Sequence, residues 1–88
     1  MNRVTPGWRL VGVVGEGTPV DVVGLNPWTA RWEPTLQRIT VAHPSHPEQR
    51  HALDVWHAAA PGGHVVTFAA GGLSNGAWAF FVPVTSRT

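Results

Sequence analysis

Five histidines crowd the middle of this chain between positions 43 and 64: His43, His46, His51, His57 and His64. His43-x-x-His46 on a loop, with His51 or Asp54 as a third group, is a candidate nitrogen and oxygen ligand set for zinc, nickel or copper, since imidazole suits all three. The set is weak, because no His-Glu-x-x-His occurs and spacing along a proline-rich loop fixes no geometry. No cofactor is therefore expected, with His43, His46 and His51 as the weak candidates for a divalent metal.

The same stretch reads better as a pocket for a small polar or anionic ligand. Ser45, His46, Gln49, Arg50 and His51 bring hydroxyl, imidazole, amide and guanidinium groups close in sequence. Guanidinium offers a planar fork for phosphate or carboxylate, and neutral imidazole gives or accepts one hydrogen bond. Trp28, Trp32 or Trp56 would add a flat apolar wall for a nucleotide-like ring, and Asn75 a further polar contact. The plainer reading makes 43–51 loop scaffolding, with Arg50 paired to Asp54 or Glu48, and makes the tryptophans caps on a small core.

Other chemistry has less to stand on. Gly72-Leu73-Ser74-Asn75-Gly76 matches G-x-S-x-G, but no acid or histidine follows Ser74 to complete a hydrolase triad. Asn75-Gly76 is turn chemistry, since both residues tolerate positive φ. No two of the five carboxylates can be read as a pair. Asp54 beside His51 or His57 is the minimum for a histidine base, which leaves a small His-dependent or metal-dependent enzyme built on His43, His46, His51 and Asp54 as an alternative. The protein is more readily a binder than an enzyme.

These groups need elements to hold them. Val is the commonest apolar residue, Trp is abundant, and Gly or Pro interrupts the apolar set every few residues, which favours several short strands. Trp8 to Val14 is a first strand, with Val20 to Val23 returning as a hairpin after Gly15-Glu16-Gly17-Thr18. Residues 26–35 look irregular. Leu36 to Ala42 is a third strand, and 43–47 is a rigid loop. Val65 to Ala70 and Ala77 to Val84 make a second hairpin. Segment 48–60 is ambiguous. Ser45 and Glu48 form a capping box, and Ala52, Val55, Trp56 and Ala59 share a helical face. Yet Val55-Trp56-His57 are good strand residues, and Pro61-Gly62-Gly63 would turn them into a meander. The expected fold is mainly β: a small antiparallel sheet, sandwich or barrel of five to six strands with at most one helix, at about 46–60.

At 88 residues the chain has room for one domain. Its formal charge of +1, with 12% charged residues, suits neither a nucleic-acid polymer nor a membrane surface as partner. With no cysteine, disulfides and thiol chemistry drop out. No apolar leader segment follows Met1, so a cytoplasmic location is expected. Only Arg87 among the charged residues lies beyond position 54, and 55–86 carries no Asp, Glu, Lys or Arg. A charge-free stretch of that length suggests burial against another copy of the chain. The expected function is a small homo-oligomeric protein holding its ligand near subunit junctions. A structural protein that docks this apolar third on a different partner is a further alternative.

Overall fold

The computed structural model describes residues 7–43, 45–73 and 76–84. Five strands occur in it: β1 (Trp8–Gly15), β2 (Trp32–Ala42), β3 (Arg50–Ala59), β4 (Val65–Gly72) and β5 (Ala77–Pro83). They form one sheet in the order β1-β5-β4-β3-β2, antiparallel at every pairing. The fold is all-β, and no helix occurs among the described residues.

Three details of the expected strands are settled. Of the two alternatives for 48–60, helix or strand, the strand is the one that forms, as β3. The apolar spacing misleads because β3 changes its buried face midway. Leu53 and Val55 are buried on one side, Ala58 and Ala60 on the other. The step of three from Val55 to Ala58 imitates a helical interval, whereas each half alone keeps the period of two. The second detail is a correction: Val20 to Val23 is no strand paired to β1. The chain there crosses the sheet and buries Val22, Leu25 and Pro27. Third, β2 begins at Trp32 and runs through Pro34, which survives because β2 is an edge strand where a missing N–H is tolerated.

Both sides of the sheet are apolar in the middle. On the first side Ala58, Ala60, Val66, Phe68, Ala70, Phe80 and Val82 pack under Val22 and Leu25, with Trp28, Trp32, Trp56 and Trp78 against them. Phe68 and Phe80 are fully buried, each contributing about 2–3 kcal/mol of apolar transfer. On the second side lie Ile39, Val41, Leu53, Val55, Ala69, Ala79 and Phe81, with Trp8 and Leu73 packed against them. The charge-free stretch is thus the end of β3 together with β4 and β5, the interior strands of the sheet. Burial within one chain accounts for the lack of charge at many of its described positions, while Val65 and Val84 remain exposed.

Candidate functional site

β2 and β3 are joined by a tight turn that gathers three of the histidines. His43 N–H donates to the Gln49 carbonyl at 2.9 Å and Gln49 N–H to the His46 carbonyl at 2.8 Å, which closes the turn. Within it the His43 ring centroid lies 5.0 Å from that of His46 and 4.9 Å from that of His51. His51 sits opposite Val41 in the β2–β3 register, on the side that buries Leu53. The sheet ladder brings it to His43, which sequence spacing alone would not do.

The protonation of His43 follows from its contacts. Its Nδ1 accepts the Ser45 backbone N–H at 3.0 Å, so the proton of the neutral ring resides on Nε2. Partial burial holds its pKa below the ordinary 6.5, and the neighbouring His51 and His46 rings push the same way against an opposing pull from Glu48. Glu48 reaches the cluster through His46, with Oε2 3.8 Å from Nδ1.

Arg50 is less available than its chemistry suggests. Its Nη1 donates to the Pro47 carbonyl at 2.8 Å, and Arg50 and His51, adjacent on β3, point to opposite sides. Ser45 enters through its backbone N–H. Asn75, like Ser74, lies outside the described residues. Asp54 pairs across the ladder with Arg38, Oδ1 to Nε 3.1 Å. That pair faces away from His51 and His57, so no carboxylate orients an imidazole as a base there. Among the described residues no three His, Asp or Glu side chains converge in a way that holds a metal. His43 Nδ1 is already taken, and a metal on Nε2 would require moving the proton to the nitrogen that accepts from Ser45.

The tryptophans belong to a different place. Trp32 stands at the centre of an aromatic cluster, 5.0 Å from Phe68, 5.4 Å from Trp56 and 6.1 Å from Trp78, with Trp28 6.3 Å away. Trp28 Nε1 donates to the Thr18 carbonyl and Trp32 Nε1 to the Pro27 carbonyl at 2.6 Å. The first bond ties the crossing segment to itself, and the second fastens it to β2. Trp28, Trp32 and Trp56 are therefore core-capping residues. Trp56 lies five residues along β3 from His51 and on the opposite side, about 17 Å away at strand rise, so it forms no wall for the histidine turn.

Two surface depressions lie elsewhere. One, of about 320 Å³, is lined by Pro19, Val20, Asp21 and Asn26. Its polar groups serve the backbone: Asp21 Oδ1 accepts Gly24 N–H, and Asn26 Oδ1 accepts Trp28 N–H. The other, of about 210 Å³, lies between Val23, His64, Val65, Thr67 and Pro83. His64 is the one histidine there, with Nε2 3.5 Å from the Val23 carbonyl. No spacing signal in the sequence links positions 23 and 64, which only the fold brings together. Comparison with protein-family models, with curated proteins and with solved structures returns no match for this chain.

Proposed function

We propose that this protein is a small binding module whose β2–β3 turn takes up a small anion through the imidazoles of His43, His46 and His51. The observation that carries this reading is the crowding of three rings, with those of His46 and His51 each about 5 Å from that of His43 between centroids. Each proton added to such a cluster repels the others, with only Glu48 to offset them. An anion seated among the rings removes that repulsion and accepts their N–H groups. Arg50 stands next in sequence and keeps guanidinium N–H donors beyond the one used on Pro47.

Anion binding of this kind is coupled to proton uptake, so affinity rises as pH falls. Calorimetric titration with inorganic phosphate and with AMP at pH 6 and pH 8 tests it. Binding should be about tenfold tighter at pH 6, and phosphate should raise the His43 pKa followed by NMR. Absence of heat at both pH values, or equal binding by a His43→Gln/His51→Gln variant, refutes the reading.

A further inference from the structure

The two edges of the sheet treat an approaching strand differently. β2 carries Pro34, a break in register between Pro34 and Arg38, Leu36 at φ 66°, and the charges of Glu33 and Arg38. Each of these discourages another strand from adding there. The opposite edge, β1, has no proline, no positive φ and no charge between Leu10 and Gly15; its one irregularity is the register shift between Leu10 and Gly12, and its only described ladder is with β5. Leu10 and Val13 lie on the side of Phe81 and Ala79, and each remains 41% exposed.

We propose that β1 pairs antiparallel with β1 of a second copy about a two-fold axis beside Val13, joining two five-stranded sheets edge to edge. An axis perpendicular to the sheet keeps like sides together, so only residues of the same side stand opposite one another. With Val13 opposite itself, Gly12 meets Val14. The extra residue at Val11, where the β1–β5 register shifts between Leu10 and Gly12, then brings Leu10 opposite Gly15. The next pair is Arg9 opposite Glu16. Arg9 shares the side of Val82, and Glu16 is the exposed turn residue directly after β1 ends at Gly15, so its carboxylate stands at the end of the new ladder.

The dimer therefore gains two Arg9–Glu16 contacts, one at each end of the new ladder. Among the described residues neither side chain has an ion-pair partner in its own chain. This charge pattern is the argument for a second copy as occupant. A strand with a cation at one end, an anion at the other and apolar residues between complements itself only when antiparallel, and a foreign strand would have to supply the reversed pattern. The turn proposed to hold an anion follows β2 at the other edge, so the two readings stand or fall separately.

The chain has no cysteine, so Val13→Cys introduces its only thiol. Opposite residues in an antiparallel pair have Cα atoms about 4.5–5.5 Å apart, within disulfide reach. Oxidised Val13→Cys should run largely as a linked dimer, while Leu10→Cys, facing Gly15, should stay unlinked. Sedimentation equilibrium supplies a second readout. The unaltered chain should have the mass of two copies, Glu16→Arg should weaken association about tenfold, and Arg9→Glu combined with Glu16→Arg should restore it. The proposal is overturned by a one-copy mass for the unaltered chain, by equal cross-linking of both cysteine variants, or by a charge swap that fails to restore the dimer.

Discussion

The Cδ2 methyl of Leu53 fills the space over Gly71 where any other residue would carry its Cβ. Leu53 is on β3 just beyond the last β3–β4 pair, Asp54 with Ala70, and Gly71 is the next residue of β4. A bare α-carbon lets the β2–β3 arm seat its apolar side on the sheet. Gly71→Ala should therefore destabilise the protein by about 1–3 kcal/mol through overpacking. Adding Leu53→Val should recover part of that loss. Urea unfolding of the two variants beside the unaltered protein reads both effects, and an unchanged midpoint for Gly71→Ala would show that Leu53 moves aside freely.

Val23 and Leu36 sit in left-handed backbone at φ 53° and 66° and expose 52% and 97% of their surface. Neither repays its conformational cost by full burial. Val23 is the more strained, because a β-branched side chain crowds that region most. Glycine relieves about 1–2 kcal/mol of left-handed strain but adds about 0.5–1 kcal/mol of unfolded-state entropy. Val23→Gly should raise stability by about 1 kcal/mol and Leu36→Gly by about half that, measured as shifts of the thermal midpoint. A loss at either site would mean that its side chain makes contacts worth more than the strain.

The indoles of Trp32 and Trp56 touch, with centroids 5.4 Å apart, but only one has its N–H satisfied. Trp32 Nε1 bonds the Pro27 carbonyl, while Trp56 Nε1 is buried with no partner among the described residues. An unmade buried bond costs about 1–3 kcal/mol. Trp56→Phe should thus change stability by less than about 1 kcal/mol, because lost contact area is offset by removal of the stranded donor. Trp32→Phe loses area, a bond and the anchorage of residues 27–32, and should cost about 2–4 kcal/mol more. Equal losses in chemical denaturation would contradict the distinction.

His43 makes stability depend on pH in a definite direction. Its folded pKa is lowered from 6.5 by partial burial first and by His51 and His46 next. The unfolded chain therefore binds the proton more readily, and stability falls as pH drops below about 6.5. His43→Gln should flatten that part of the profile. Phosphate held by the turn should oppose the loss at pH 6 more than at pH 8, which melting curves with and without phosphate will reveal.

How much of this was legible beforehand differs from strand to strand. Trp8 to Val14 and the hairpin of Val65 to Ala70 with Ala77 to Val84 are plain from apolar runs bounded by glycine, and they correspond to β1, β4 and β5. Segment 48–60 resisted because burial of both sides of one strand erases the simple alternation on which strand assignment rests. Residues 18–31 resisted for another reason. Val22, Leu25 and Pro27 are buried where the segment crosses the sheet, a use that leaves no periodic trace.

Of the site, the sequence by itself determined the inventory: five histidines and one arginine near a proline-rich loop, charges confined almost wholly to the first 54 positions, and glycines where turns must form. Residue types and local turn chemistry are properties of short segments, so they can be read without knowing the fold. Only the tertiary structure decided which groups meet. It joined His51 to His43 through the β2–β3 ladder, drew Trp28, Trp32 and Trp56 into the core, and bound Asp54 to Arg38 instead of a histidine. Those outcomes depend on ladder register and on which side of the sheet each residue faces, where a shift of one residue would reverse every one of them.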